Sequence, residues 1–286
     1  MRRAVLRRSL LFFPGDRPER FAKAVASGAD AVCVDLEDGV GPAGKDAARE
    51  LALGRLLEEP RHGVELVLRI NDPTTALGRR DLDALCIAPS SPDAVMVPKV
   101  AHVEEIEWLG RLVGPLDPGL VLIPIIETAR GLAAAEGIAC ASDRVGGLLF
   151  GGIDLSVELG SAVDWEALLY ARSRVVHAAA LAQVEALDVP FMEMKNSRGL
   201  AREAAGARRL GFGGKAAIHP SQIAAINEAF TPSQAEIDRA LGILAANEVG
   251  GGGAIANEGE LVDAPVVKAA RRTLERADAI RGRERE

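Results

Sequence analysis

The stretch LVLIPIIE, residues 120–127, decides the fold of this 286-residue chain. It is apolar on both faces, and a strand without a polar face must be covered by protein on both sides, as strands of parallel sheets are. The run closes on a charged residue, Glu127. The pattern predicts a buried parallel strand that carries a carboxylate at its C-terminal end.

Seven further apolar runs share these properties and alternate with longer amphipathic stretches, a pattern that indicates strands alternating with helices. The eight predicted strands are SLLFFP from Ser9, AVCVDLED from Ala31, ELVLRIN from Glu65, AVMVPK from Ala94, LVLIPIIE from Leu120, GGLLFGG from Gly146, VPFMEM from Val189 and GKAAIH from Gly214. Stretches such as PERFAKAVASG from Pro18 and DWEALLYARSRVVHAAALAQVEAL from Asp164 predict helices between them.

Eight strand-helix units over about 230 residues amount to about 29 residues per unit, which favours an α/β fold of the (β/α)8 TIM barrel type. A doubly wound open sheet is the alternative, but no GxGxxG follows the first strand and no GxxxxGK[ST] occurs. We assign residues 1–231 to the barrel and residues 232–286 to a C-terminal helical extension. A run of four glycines, residues 250–253, predicts a hinge within that extension that carries a mobile arm.

Composition excludes several classes of protein. The chain is 48% hydrophobic and 26% charged, as globular proteins are, and its net charge of −7 disfavours nucleic acid as the main partner. Its three cysteines, Cys33, Cys86 and Cys140, are far apart and lack zinc-type spacing, which favours the reducing cytoplasm. No apolar stretch approaches the roughly 20 residues of a membrane-spanning helix.

Polar residues close most of the predicted strands. In a barrel of this type the C-terminal strand ends meet at one mouth, where the chemistry occurs. The residues at or just after strand ends are Asp35, Glu37, Asp38, Arg69, Asn71, Lys99, Glu127, Asp154 and His219. They predict one shared polar mouth.

Two of these residues, Glu127 and Asp154, come from consecutive strand ends. Carboxylate oxygens suit Mg²⁺, which takes one or two carboxylates together with water or substrate oxygens. The alternative is that Glu127 caps the following helix and that Asp154, in the loop after the sixth strand, forms an Asx turn. Gly151 and Gly152 precede Asp154 and would let the backbone approach a ligand, although a tight turn explains them equally well.

Arg69 would enter the same mouth, where its guanidinium can clamp a carboxylate through two parallel hydrogen bonds. The alternative is a salt bridge to the acidic cluster of Asp35, Glu37 and Asp38, and the two interpretations are compatible. The cluster itself either orients Arg69 and metal-bound water or is a solvated turn.

Three other features have both a functional and a structural interpretation. Arg17, Arg20 and Lys23 lie in and after the first strand-helix loop, where cations and a helix N-terminus favour a phosphate, but a solvated helix face explains them too. His219 is either a base or a histidine satisfied by backbone. Asp263, two residues before Pro265, is by its position a helix N-cap.

These residues resemble, in chain order, the citrate lyase β-subunit family, which includes malyl-CoA and citramalyl-CoA lyases within the wider HpcH/HpaI aldolase group. The motifs that carry the resemblance are RSLLFFPGDRPERFAKA, VDLEDGVGPAGKDAARE, LRIND, VMVPKV, IPIIETARGL, LLFGGIDLSVELG, GGKAAIHPSQI and GELVDAPVV, spread over residues 9–277. One departure concerns substrate: aldolases of the group that act on free pyruvate carry a histidine after the acidic residue of the second strand, where this chain reads Asp-Leu-Glu-Asp-Gly. That disfavours a free-pyruvate aldolase.

The resemblance implies a (β/α)8 barrel that assembles as a homotrimer or a dimer of trimers. It implies Mg²⁺, with Mn²⁺ as an alternative ion, at Glu127 and Asp154, and the oxo-acid carboxylate at Arg69. It further implies that substrate contacts Gly152 and Ile153.

The resemblance also assigns residues outside the metal site. Phe12, Arg17 and Lys23 match positions that hold the nucleotide and phosphates of coenzyme A. Asp38 and Glu37 match the acidic motif behind the metal. Asp263 matches an aspartate on a mobile arm that reaches the neighbouring subunit's site as acid or base.

The implied activity is Mg²⁺-dependent cleavage of a citryl-, malyl- or citramalyl-thioester to an acyl thioester and an oxo acid. Coenzyme A and an acyl carrier protein both remain open as the carrier, and citrate lyase α and γ subunits remain open as partners. Two alternatives are a malyl-CoA thioesterase that uses the same site and a non-catalytic subunit that binds acyl-CoA or an acyl carrier.

Overall fold

Eight parallel strands form a closed barrel in chain order in the computed structural model, which describes residues 5–54, 57, 59–249, 255–257 and 260–283. The strands are β1 Ser9–Pro14, β2 Ala31–Asp35, β3 Glu65–Arg69, β4 Ala94–Val97, β5 Val121–Ile126, β6 Gly147–Phe150, β7 Glu185–Asp188 and β8 Gly214–Ala217. Each strand pairs with its neighbours in sequence, and β1 closes the barrel by pairing Leu10 with Ala216 of β8. The TIM barrel expected from the strand-helix alternation is confirmed.

The barrel interior is filled by alternate residues of the strands, because successive side chains of a strand point to opposite faces. These interior side chains are at most 3% exposed, and they are Leu10, Ala31, Cys33, Val67, Ala94, Met96, Ile123, Ile125, Leu149, Leu187 and Ala216. The residues between them face the surrounding helices and are buried as well, which explains why the runs are apolar on both faces.

The seventh strand is the one that the sequence misplaces. We expected VPFMEM from Val189, but β7 is the preceding segment, EALD, and the expected helix from Asp164 ends at Ala182. Gln183 ends that helix in the left-handed conformation, with φ of +58°. Glu, Ala and Leu are good helix formers, so the local preference of this segment points to helix, and pairing with β6 and β8 overrides it.

Nine α-helices lie between β1 and β8 within the described residues. They are α1 Phe21–Val25, α2 Lys45–Gly54, α3 Ala76–Ile87, α4 Val103–Val113, α5 Ala129–Ala133, α6 Ala135–Cys140, α7 Gly152–Leu159, α8 Trp165–Ala182 and α9 Ser197–Leu210. Side-chain caps start four of them, with Thr75, Thr128, Asp164 and Asn196 each accepting a hydrogen bond from the backbone N–H three residues on. None of the described helices is long and apolar enough to cross a lipid bilayer.

Buried charges close the N-terminal end of the barrel. Arg7 is 2% exposed and donates from Nε and Nη2 to both carboxylate oxygens of Glu65, at 2.6 and 2.7 Å, and from Nη1 to the Gly146 carbonyl. Arg8 forms a second buried pair with Asp30. These contacts join the starts of β1, β3 and β6 at the end of the barrel opposite the polar mouth.

The chain divides into two compact units, one of Arg7–Asn227 and one that contains the described residues from Glu228 onward. The helices after β8 are α10 Ile223–Phe230, α11 Gln234–Val249 and α12 Ala264–Arg283, and α11 packs on α12. A short antiparallel pair, β9 Ile255–Asn257 and β10 Glu260–Val262, precedes α12 and was not expected from the sequence. The glycine hinge predicted at residues 250–253 lies outside the described residues. The division drawn at residue 231 stays a prediction.

Candidate active site

Arg69, the last residue of β3, lies at the centre of the polar mouth. Its guanidinium forms a two-pronged ion pair with Asp35 at the end of β2, with Nε to Oδ1 at 2.8 Å and Nη2 to Oδ2 at 2.6 Å. Nη1 lies 2.9 Å from Oε2 of Glu37 and 3.9 Å from the more exposed Asp38. The salt bridge between Arg69 and the acidic cluster is therefore confirmed, and it holds the guanidinium in one orientation.

Asp35 is an anchor for this end of the barrel. Besides Arg69, its two carboxylate oxygens accept the backbone N–H groups of Glu37 and Gly39, both at 2.8 Å. A Cβ at Gly39 would collide with Oδ2 of Asp35, so the turn needs a glycine there. The acidic cluster is thus an ordered turn around Asp35 rather than a solvated one.

Glu37 is 4% exposed and lies between two cations. Its Oε2 faces Arg69, and its Oε1 lies 2.8 Å from Nζ of Lys99. Burial raises the pKa of the Glu37 carboxyl, while Arg69 and Lys99 oppose that shift.

Glu127 is the buried carboxylate at the end of β5, and it is 4% exposed. Its Oε1 accepts the backbone N–H of Lys99 at 2.6 Å. Burial, followed by repulsion from Glu37 and Asp154, raises the pKa of Glu127 to about 8. The proposed helix-capping role is wrong, because Thr128 caps α5 by accepting the N–H of Gly131.

Asp154 lies in the first turn of α7, which begins at Gly152 directly after the short link from β6. The expected loop and Asx turn are therefore wrong at this position, and the side chain is exposed. The glycines before it have a packing role. A Cβ at Gly151 would collide with Cβ of Glu127 and lie 2.7 Å from its Oε2, and a Cβ at Gly152 would lie 2.6 Å from the Phe150 ring.

The pair of Glu127 and Asp154 fits a divalent cation that takes few protein ligands. Among the described residues no group of three or more His, Cys, Asp or Glu side chains is arranged to hold a metal, which disfavours a closed zinc-type site. A pair of carboxylates is a donor set that suits Mg²⁺, and a bound cation would favour the ionised form of Glu127, whose pKa is raised.

The backbone of Lys99 adopts the left-handed conformation, with φ of +55°. This conformation costs a residue with a side chain about 1 kcal/mol or more. Lys99 follows β4 by two residues and makes its backbone contact to Glu127 and its side-chain contact to Glu37 from this strained position. The strand-end position of Lys99 was visible in the sequence, but its role was not.

Lys45, in α2, is a site residue that the sequence does not predict. Its Nζ donates three hydrogen bonds, to the carbonyls of Leu36 and Glu37 and to Oδ1 of Asn71, at 2.6 to 2.8 Å. Asn71 is fixed in turn by Asp81 through its backbone and side-chain nitrogens. Burial lowers the pKa of Lys45, and the nearby carboxylates oppose that shift. No sequence pattern predicts that a lysine in a helix will hydrogen-bond the backbone of the turn after β2.

The remaining candidate residues have simpler surroundings. Phe12, on β1, packs against the barrel core, and its ring centroid lies 5.0 Å from Cζ of Arg69. Arg17 and Lys23 are exposed, and Arg17 lies 3.8 Å from Asp16. Ile153 is half-buried in the first turn of α7.

Two further polar residues, His219 and Asp263, form local hydrogen bonds that fit the structural interpretation of each. Nδ1 of His219 accepts the backbone N–H of Ser221 at 3.2 Å and pairs with its hydroxyl at 2.7 Å, so this histidine is satisfied locally. Asp263 accepts the N–H of Val266 at 3.2 Å and so is the N-cap of α12. The contact of Asp263 with a neighbouring subunit stays a prediction.

Comparison with known proteins identifies the family of this chain. The family model described as HpcH/HpaI aldolase/citrate lyase matches residues 8–220. The chain belongs to the HpcH/HpaI aldolase/citrate lyase family. The matched segment contains the whole barrel and every predicted site residue except Asp263.

Relatives within the HpcH/HpaI family extend over nearly the whole chain. The citrate lyase subunit beta of Leuconostoc mesenteroides subsp. cremoris is 36% identical and covers 96% of this chain and 94% of the relative. The mitochondrial citramalyl-CoA lyase of Homo sapiens is 32% identical over 96% of this chain and 86% of the relative. The (3S)-malyl-CoA thioesterase of Cereibacter sphaeroides is 36% identical over 96% of this chain and 95% of the relative.

A solved structure of the HpcH/HpaI family has the same fold. The CitE protein of Mycobacterium tuberculosis, in complex with magnesium, acetoacetate and coenzyme A, has a TM-score of 0.79 at 36% identity, over 94% of this chain and 97% of that one. Both the family and the barrel expected from the sequence motifs are therefore confirmed.

Proposed function

We propose that this protein is a Mg²⁺-dependent carbon-carbon lyase that cleaves a 3-hydroxyacyl thioester into an acyl thioester and an oxo acid. The observation that carries the proposal is the buried Glu127 carboxylate, whose pKa is raised to about 8 by burial and by repulsion from Glu37 and Asp154. Such a group is costly to ionise unless a cation is bound beside it. Relatives named as citrate lyase subunit beta and citramalyl-CoA lyase support the reaction class.

Glu127 and Asp154 would hold the metal, with Mg²⁺ as the expected ion and Mn²⁺ as an alternative. A bound Mg²⁺ would supply Lewis-acid polarisation of the hydroxyl and carboxylate oxygens of the oxo-acid half. Lys99 holds Glu127 through a backbone N–H, so the carboxylate is oriented before any ligand arrives.

Arg69 would bind the carboxylate of the oxo acid or the oxygen of the thioester enolate. Asp35 already holds the guanidinium at both Nε and Nη2, so binding would require no rearrangement of the side chain. Glu37 and Asp38 would keep Arg69 and bound water in place. Backbone N–H groups of Gly152 and Ile153 have no acceptor within α7, because they lie in its first turn, and would face an anionic substrate oxygen.

Several finer assignments rest on the family resemblance and belong to the same proposal. Asp263 of a neighbouring subunit would take the hydroxyl proton, which requires the expected homotrimer or dimer of trimers. Exposed Arg17 and Lys23, with Phe12, would bind the nucleotide and phosphates of coenzyme A. In a complex with citrate lyase α and γ subunits, the thioester would be carried by an acyl carrier protein instead of coenzyme A. The cytoplasmic location is supported by the free Cys33, Cys86 and Cys140.

A thioesterase acting on malyl-CoA is the second candidate, favoured by the relative from Cereibacter sphaeroides that bears this name. Both reactions start from the same bound thioester. They differ in products, because hydrolysis releases thiol and an intact hydroxy acid, whereas lyase cleavage releases an oxo acid and keeps the thioester.

The test incubates the purified protein and Mg²⁺ with malyl-, citramalyl- and citryl-CoA in separate reactions, and follows free thiol and oxo acid by mass spectrometry. We expect oxo acid without free thiol. Free thiol with intact hydroxy acid would establish the thioesterase instead.

The metal ligands are tested by Glu127→Gln and Asp154→Asn. Each is expected to lower kcat at least about 100-fold and to weaken Mg²⁺ binding in parallel, since each removes a charged oxygen ligand. Glu166→Gln, which removes an exposed carboxylate from the first turn of α8, is the charge-matched control and should leave both unchanged. Full turnover with Mg²⁺ in either site variant contradicts the assignment.

A further inference from the structure

Lys99 contacts two carboxylates that come from different strand ends. Its backbone N–H donates to Oε1 of Glu127 at 2.6 Å, and its Nζ lies 2.8 Å from Oε1 of Glu37. Lys99 alone therefore links the turn after β2 to the end of β5. The two contacts use different parts of the residue, so they can be separated by substitution.

The double contact is made from a strained backbone. Among the described residues two other non-glycine residues have positive φ, His62 and Gln183. Gln183 is explained by its position, since it ends α8 and donates its N–H to carbonyls of the last turn. Lys99 ends no helix, and α4 is preceded by His102 at its N-cap position. The left-handed conformation of Lys99 is instead associated with its contacts to Glu127 and Glu37.

A glycine would adopt this backbone conformation freely and would offer the same N–H. What lysine adds is the ammonium group on Glu37. Its side chain is 42% exposed, but that of Glu37 is 5% exposed, so the ion pair is partly shielded from water and can offset the cost of the left-handed backbone. The pair is better explained as a tether that keeps the residue in the left-handed conformation.

We propose that Lys99 is a positioning residue: its ion pair with Glu37 holds the strained backbone, and the backbone N–H then fixes Oε1 of Glu127 and leaves Oε2 for the cation. The inference rests on the proposed function in that Glu127 is taken to be a ligand of a divalent cation. It assigns to Lys99 a role in metal affinity that a surface salt bridge would not have.

The test compares Lys99→Ala with Lys99→Gly by titrating each with Mn²⁺ and following free Mn²⁺ by electron paramagnetic resonance. Both variants lose the ammonium group. Alanine has no tether and disfavours the left-handed conformation, so its N–H leaves Glu127, whereas glycine retains the conformation without strain. We expect Lys99→Ala to bind Mn²⁺ about tenfold more weakly than wild type and Lys99→Gly within about threefold of it. Lys99→Arg, which keeps a cation, should also lie within about threefold.

Gln183 is a matched control because its φ is nearly the same as that of Lys99. It lies just before the start of β7, at the N-terminal end of that strand and away from the C-terminal strand ends that form the mouth. Gln183→Ala and Gln183→Gly should differ in melting temperature as the two Lys99 variants do, but should bind Mn²⁺ like wild type. A merely structural role for Lys99 would move the melting temperature at both positions and the Mn²⁺ affinity at neither.

The outcomes separate the two proposals. Wild-type protein that binds no Mn²⁺, or Glu127→Gln that binds it like wild type, overturns the metal site and with it the role of Lys99. Normal binding by wild type together with equal affinities for Lys99→Ala and Lys99→Gly overturns the role of Lys99 alone.

Discussion

At the scale of single residues, Arg69 and Glu127 are both oriented by residues from other strand ends, Arg69 by Asp35 and Glu127 by the backbone N–H of Lys99. The sequence identifies Arg69 and Glu127 because each closes an apolar run, and the ends of parallel strands meet. The contacts made by Lys45 and Lys99 could not be found in this way. The contact of Lys99 depends on the turn after β4, and that of Lys45 depends on a helix side chain that hydrogen-bonds the backbone of the turn after β2. The spacing of residues in the sequence predicts neither contact.

The buried Glu127 makes the stability of the metal-free protein depend on pH. Its pKa is about 8 in the folded protein, whereas an unperturbed glutamate has a pKa of 4.5, so the folded state retains a proton that the unfolded state has lost. The contribution of this residue to folding is fully present below pH 4.5 and is lost as the pH rises through about 8.

We therefore expect the free energy of unfolding of the chelator-treated wild type, minus that of Glu127→Gln, to fall from pH 5 to pH 8 by an amount of about 1 kcal/mol or more. Urea denaturation at four pH values measures it. Saturating Mg²⁺ should abolish the trend, because metal competes with the proton. A flat difference would show that Glu127 is ionised without metal.

At the scale of elements, most strands follow from apolar runs, and the failures have identifiable causes. The seventh strand was predicted too late in the sequence because the residues of β7 prefer helix on their own. The segment of α7 was predicted to be a loop because it starts with glycine. The four N-terminal caps fit sequence rules, since Thr, Asp and Asn are the residues that favour this position. The cap of α5 matters most for the site because Thr128 is bonded directly to Glu127 in the chain.

Thr128→Ala should lower the free energy of unfolding by about 1 kcal/mol, the usual effect of losing an N-cap. Asp164→Ala, which removes the cap of α8, is the control with a similar expected loss. Only Thr128→Ala should also reduce kcat, because the turn that carries Glu127 loosens. Chemical denaturation and steady-state kinetics on both variants give the comparison, and equal kinetics would disprove the link between cap and site.

At the scale of the whole barrel, charged groups are divided between two ends with different tasks. At the N-terminal end, Arg7 is buried against Glu65 and joins strands that are distant in sequence. At the C-terminal end, cations and carboxylates are shared among several strands around Arg69. At this second end Asp38 and Lys99 remain exposed and can contact a ligand.

Arg7→Met should destabilise the protein by about 3 to 5 kcal/mol, because it leaves the Glu65 carboxylate buried without its partner. The double variant Arg7→Met with Glu65→Leu should recover most of the loss. In both, kcat per folded molecule should equal that of wild type, since the change lies at the far end of the barrel. Calorimetric melting together with kinetics well below the melting temperature tests this, and a double variant as unstable as the single one would argue against the pair.

The charge count at the mouth has a consequence for the order in which ligands arrive. With Glu127 ionised, five carboxylates, Asp35, Glu37, Asp38, Glu127 and Asp154, face three cations, Lys45, Arg69 and Lys99. The excess of two negative charges equals the charge of one divalent ion. Without the ion, and with Glu127 protonated, the mouth still carries an excess of one negative charge, so under the proposed function we expect Mg²⁺ to bind before the anionic thioester.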